Sequence, residues 1–145
     1  MYNDVGLNAS LRFDTILATP EQVEVVMPIS EMVMQPFGFV HGGATLALLE
    51  AAASEGAGFY ADLNLERPFG IACEVRHVKS GREGFVRGVA KLSRIEGRKQ
   101  IWDIAAYDDE GDVMSFGTFT TKVVTLERLA EKERERQQMR KRSED

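Results

Sequence analysis

Cysteine, histidine and local positive charge are all scarce in this chain, and each scarcity closes off a class of chemistry. Cys73 is the single cysteine, so no internal disulfide can form. The two histidines, His41 and His77, make no cluster with the usual metal-ligand spacing, and neither a metal nor a cofactor is expected. No run approaches the ~18 apolar residues of a membrane span. The opening Met1-Tyr2-Asn3-Asp4-Val5-Gly6 is neither basic nor apolar, so a signal peptide is not expected and a cytoplasmic protein is. A net charge of -5 argues against a nucleic-acid surface, which wants a basic face. With 145 residues, 43% of them hydrophobic, one self-sufficient domain is expected.

The stretch from Gly38 to Glu55 organises what remains. A glycine pair, Gly42-Gly43, opens a helix expected to run from about Gly43 to Tyr60. Ala44, Leu46, Ala47, Leu48, Leu49, Ala51, Ala52 and Ala53 leave it without a polar stripe, which predicts a helix buried on every side. Glu50 sits in its middle, with no lysine or arginine between Val40 and Asn64 to pair with. A buried, unpaired carboxylate is costly, so it must protonate, find donors or take part in chemistry.

Around this helix the patterns are those of strands. Ser10 to Ala18 and Val23 to Ile29 alternate with period two and are joined by Thr19-Pro20-Glu21, which predicts a hairpin. Beyond Pro68, strands are expected at Gly70 to Lys79, Phe85 to Ile95, Gln100 to Tyr107 and Val113 to Val124, with glycine-bearing turns between them. Read in chain order, these four make an antiparallel meander. The implied fold is α+β, with one curved antiparallel sheet wrapped around the central helix. This domain takes in residues 1–125. Residues 126–145 hold seven basic and six acidic side chains and little apolar surface, and should form a solvated helix or a disordered tail.

The run Gln35-Pro36-Phe37-Gly38-Phe39-Val40-His41-Gly42-Gly43-Ala44, followed by Glu50, resembles the hotdog-fold acyl-CoA thioesterases. It is most similar to the branch that includes the 4-hydroxybenzoyl-CoA and 1,4-dihydroxy-2-naphthoyl-CoA thioesterases, with the phenylacetate-pathway branch next. The similarity extends from about Gln35 to Val124, through Arg82-Glu83-Gly84, Val86-Arg87-Gly88-Val89, Gln100-Ile101-Trp102 and Thr120-Thr121. The fold that it implies is the one the strand pattern reaches independently.

A helix N-terminus offers free N–H groups and the positive end of a dipole, which would polarise a thioester carbonyl and stabilise an oxyanion. Glycine there allows close approach, which suits both Gly42 and Gly43. The resemblance implies that Gly42 supplies the N–H, that Gln35 binds near the carbonyl, and that His41 supports the loop and substrate region. Glu50 lies about 12 Å along the axis from Gly42 at ~1.5 Å per residue. It cannot serve the same carbonyl unless the substrate lies along the helix or a second chain contributes. The resemblance implies a homodimer with composite sites, as a homotetramer built of two dimers, in which Gly42 of one chain works with Glu50 of the other. Glu50 is then nucleophile or general base. Ser54, one turn beyond Glu50, is placed to orient the carboxylate or a water.

Coenzyme A carries phosphates that need cationic partners, and Lys79, Arg82, Arg94, Arg98 and Lys99 are the candidates. The function expected is hydrolysis of an aromatic or medium-chain acyl-CoA to free acid and CoA. The alternatives are a hotdog hydratase/dehydratase, whose helix motifs differ, and a non-catalytic acyl-CoA-binding protein.

Overall fold

In the computed structural model, which describes residues 2–145, the chain runs α1 (Gly6–Ser10), β1 (Asp14–Ala18), β2 (Gln22–Pro28), α2 (Gly42–Ala57), β3 (Glu66–His77), β4 (Phe85–Glu96), β5 (Lys99–Tyr107), β6 (Val113–Thr125) and α3 (Leu126–Glu144). Short 3₁₀ turns at Glu31–Val33 and Gly58–Tyr60 flank α2. All the strand pairs are antiparallel and form one sheet in the order β1-β2-β4-β5-β6-β3. This is the hotdog fold.

The order corrects the expected meander. β4, β5 and β6 are consecutive neighbours, but β3 is not beside β4. Both edges of β4 are already taken, by β2 from Gln22↔Lys91 to Pro28↔Phe85 and by β5 from Arg87↔Tyr107 to Glu96↔Lys99. β3 therefore zips onto the far edge, pairing with β6 from Glu66↔Thr125 to His77↔Ser115. It also begins earlier than expected, before Pro68, which an edge strand tolerates because one of its sides carries no ladder.

The start of the chain differs too. Ser10 to Phe13 is not strand: Gly6–Ser10 is a helical turn, and Arg12 takes a left-handed φ of 62° that redirects the backbone into β1. Phe13 then plugs into the core at 6% exposure, with its N–H donating to Asn8 O at 2.9 Å.

α2 packs against every strand of the sheet. Leu48, Leu49, Ala51, Ala52, Ala53 and Ala57 are buried among Val23, Val25, Met27, Val86, Ala90, Trp102 and Phe119. Alanines on this face let the helix sit low, and Gly56 lets it sit lower still: a methyl there would fall 2.5 Å from Trp102 Cη2. The helix is not buried all round, however. Gly43, Ala47, Glu50 and Ser54, spaced four, three and four, run along a side left partly or fully open in the single chain. α3 caps itself at Thr125, whose Oγ1 accepts from Arg128 N at 3.1 Å, and none of its residues is buried.

The buried indole of Trp102 is held by a polar relay. Its Nε1–H donates to Thr121 Oγ1 at 2.9 Å, and that hydroxyl donates to Gln100 Oε1 at 2.8 Å. All three residues are at most 2% exposed. Thr121→Val keeps the shape and strands both partners without water, and should lower stability by about 1–3 kcal/mol. The expected readout is a lower urea midpoint at unchanged m-value.

Candidate active site

The N-terminal end of α2 is built by His41 acting as its cap. His41 has extended backbone (φ -68°, ψ 127°), and its Nδ1 accepts from Gly43 N at 2.9 Å. The His41 carbonyl takes the Ala44 and Thr45 N–H groups at 3.0 and 3.3 Å. Among the described residues, no acceptor is paired with the N–H of Gly42. Gly42 lines a cavity of about 220 Å³ whose walls also include Gln35, Thr45, His77, Lys79 and Ser115. The Gln35 side-chain carbonyl accepts from the Phe37 N–H, which braces the loop before the helix.

His77 contributes more to this end than its sequence signal suggested. Its Nδ1 and Ser115 Oγ hydrogen-bond at 2.6 Å, and this turns Nε2 toward the helix start, where a methyl on Gly42 would lie only 3.1 Å away. A side chain at position 42 would therefore crowd the imidazole.

Two turns on, the surroundings of Glu50 correct the expectation of a buried carboxylate. Glu50 is exposed in the single chain, because the side of α2 that carries it looks past the free edge of β3. Its Oε1 lies against Gly70, where a methyl would come within 2.6 Å of it and within 2.7 Å of the Phe119 ring. A glycine inside a strand signals such a close approach, and that signal was available in the sequence. Cys73 stands on the same strand; burial pushes its thiol pKa up, and the negative charge of Glu50 adds to this. No salt bridge to Glu50 is formed among the described residues.

Ser54 and the neighbouring Glu55 line a larger, mostly apolar cavity of about 690 Å³, together with Tyr2, Ala18, Gly58, Phe59, Leu63, Arg67 and Pro68. Glu55 is half-buried, and its Oε2 accepts from Thr15 Oγ1 at 2.8 Å. Burial raises its carboxyl above the usual range, offset in part by the Thr15 hydrogen bond. Burial also pushes the Tyr2 phenol up to about 12, with Glu55 and then Glu50 adding to the shift. Sequence reasoning passed over Glu55 and Tyr2, since their roles arise from the folding of residues 2–15 against α2.

The candidate cations are not brought together within one chain. Lys79 and Arg82 lie at the end of the sheet that holds the α2 N-terminus. Arg94, Arg98 and Lys99 flank the β4–β5 turn, at the end where Phe69 and Lys99 both pair with Lys122. Lys79 sits among Asp108 at 2.5 Å, Asp112 at 2.7 Å and Glu110 at 3.8 Å. Hydrogen bonds to Asp108 and Asp112 hold its pKa well above the ordinary lysine range. Arg94 pairs with Glu96 at 2.7 Å and Arg98 with Glu66, while the Arg82 guanidinium stacks 4.2 Å from the Phe39 ring centroid.

A hotdog sheet with a free helix N-terminus and a carboxylate two turns along it defines a class, and comparison with known proteins agrees. Residues 37–115 match the family model described as the thioesterase superfamily. The chain is 34% identical over 122 residues to a 1,4-dihydroxy-2-naphthoyl-CoA hydrolase of Escherichia coli, covering 84% of this chain and 87% of that protein. It is 29% identical over 119 residues to a Listeria monocytogenes protein of the same name, covering 82% and 96%. A mutant thioesterase from Pseudomonas aeruginosa superimposes with a TM-score of 0.81 at 25% identity, covering 86% of this chain and 89% of that one. The chain belongs to the thioesterase superfamily. Its activity is thioester hydrolysis. No helix among the described residues is long and apolar enough to cross a membrane.

The raised carboxyl of Glu55 has a testable sign. A carboxylate whose folded pKa is raised is penalised in the native state as pH climbs through that value, so its ionisation costs stability at neutral pH. Glu55→Gln retains an acceptor for Thr15 and removes the charge. Its stability relative to the parent should therefore be higher at pH 7 than at pH 4, measured by urea unfolding at both.

Proposed function

We propose that the protein hydrolyses acyl-CoA thioesters bearing an aromatic or medium-chain acyl group, at sites shared between two copies of the chain. The observation that carries this reading is the free edge of β3. Its inner end at His77 lies over Gly42, and its outer end at Gly70 lies under Glu50. A long edge strand with exposed Phe69 and Ile71 is a template for pairing with another strand. Two copies joined antiparallel about a two-fold axis near Cys73 and Glu74 would set His77 of one against Gly70 of the other. The free N–H of Gly42 would then face Glu50 of the second copy, and the open strip of α2 would be covered.

In such a site the Gly42 N–H and the Gln35 amide polarise the thioester carbonyl, and the helix dipole stabilises the oxyanion. The Glu50 carboxylate adds to the carbonyl carbon, expelling CoA thiolate and leaving a mixed anhydride for water to cleave, or it takes a proton from water as that water adds. Ser54, one turn away, orients the carboxylate or the water. The acyl group extends toward the 690 Å³ cavity, and the cations at the two ends of the sheet, Lys79, Arg82, Arg94, Arg98 and Lys99, offer partners for the nucleotide phosphates.

Glu50→Ala should lose at least about 100-fold in thiol release from benzoyl-CoA and hexanoyl-CoA. A loss of less than about tenfold, ~1.4 kcal/mol of barrier, removes Glu50 from the centre of the reaction. Complementation separates a shared site from a single-chain one. A heterodimer of Gln35→Ala with Glu50→Ala regains about half of parental turnover if sites are shared, because one of its two symmetric sites is intact. It regains none if each chain holds its own site.

A further inference from the structure

Residues 2–15 lie outside the segment that matches the family model, yet one of them, Tyr2, lines the 690 Å³ cavity. Beyond it lies a second cavity of about 400 Å³, lined by Tyr2, Asn3, Asp4, Phe13, Asp14, Thr15 and Glu55. Tyr2 and Glu55 line both, so together they form the partition between the two spaces. One partition residue belongs to α2 and is fixed by it. The other belongs to the N-terminal segment and has to be held in place.

The holding is done by a polar chain. Asn8 Nδ2 donates to Asn3 Oδ1 at 3.1 Å, Asn3 Nδ2 donates to Thr15 Oγ1 at 2.8 Å, and Thr15 Oγ1 donates to Glu55 Oε2 at 2.8 Å. Buried Phe13 pins the far end, next to the left-handed turn at Arg12. A half-buried carboxylate met by a threonine hydroxyl ties a peripheral segment to the central helix in a directional way.

We infer that Tyr2 closes one end of the acyl pocket and limits the length of the acyl group, held in place through Asn3, Thr15 and Glu55. The identity of the ligand rests on the proposed thioesterase function. A chain that reaches the partition meets the tyrosine ring; with the ring removed, the two cavities join and further methylenes leave water. A single methylene in an apolar pocket discriminates by roughly 10–200-fold, so the effect on selectivity should be large.

The test uses the non-hydrolysable thioethers S-hexyl-CoA and S-decyl-CoA, titrated calorimetrically, beside turnover of hexanoyl-CoA and decanoyl-CoA. Tyr2→Ala should raise the decyl-to-hexyl affinity ratio, and the matching ratio of kcat/KM, by about tenfold or more. Thr15→Val, which cuts the tether but keeps the ring, should shift both ratios in the same direction by less. Tyr2→Phe should leave them unchanged, because the ring and not the hydroxyl is the obstacle. A Tyr2→Ala ratio within about twofold of the parent overturns the inference, as does failure of the parent to bind either thioether. If the affinity ratio shifts while the parent hydrolyses no thioester, the pocket wall stands and the hydrolase reading falls. If turnover is found and its ratio does not move, the reverse holds.

Discussion

Trp102 and α2 are so close that a single carbon could not be inserted between them. Gly56 faces the indole with no side chain, and the alanines before it keep the helix axis near the sheet along its length. That distance sets the height of every polar group the helix carries. A helix held lower than its ridges would ordinarily permit brings its own N-terminus down to the level of β3, where His77 can rest against Gly42. It also brings Glu50 down onto Gly70. Contact at this range is expensive to disturb, since close-packed interiors yield little to added volume. The positions of the polar groups are therefore inherited from an apolar contact on the opposite face of the helix.

Much of the fold is legible in the chain itself. β4, β5 and β6 end within one or two residues of where glycine-bearing turns place them, as at Gly97, whose φ of 60° serves the reversal between Glu96 and Lys99. Local turn chemistry decides such boundaries, and it is written in a few adjacent residues. The partner of β3 is not legible in this way. Whether a strand joins β4 or β6 depends on which edges are already taken, and that is a property of the whole sheet. Residues 10–13 mislead for another reason. Leu11 and Phe13 keep a strand-like alternation, but Arg12 adopts a left-handed conformation that period alone cannot report.

The candidate site divides along the same line. Gln35, His41 and Gly42 are contiguous in a motif, and they gather at one end of α2 as a motif should. Glu50 was expected to be buried because no polar stripe interrupts the helix. In the single chain the open side consists of Gly43, Ala47, Glu50 and Ser54, small residues around one carboxylate, a pattern that hydropathy scores as apolar. The five cations share the second half of the sequence, but that does not make them neighbours in space. The sheet separates them, since neighbouring turns of an antiparallel array alternate between its two ends. Gly70 and Glu55 drew no attention, because each takes its meaning from a residue far away in the chain.

The order in which the chain is made gives β3 an awkward interval. Its sole neighbour in the sheet is β6, and the pairings run from Ser115 opposite His77 outward to Thr125 opposite Glu66. On a ribosome β3 emerges well before any of those residues exist, so it waits with both ladders unsatisfied while β4 and β5 are still being added. Non-local pairings of this kind are slow to form and leave strand edges open to other chains. A nascent chain stalled before Val113 would present the underside of α2 and an unpaired strand together.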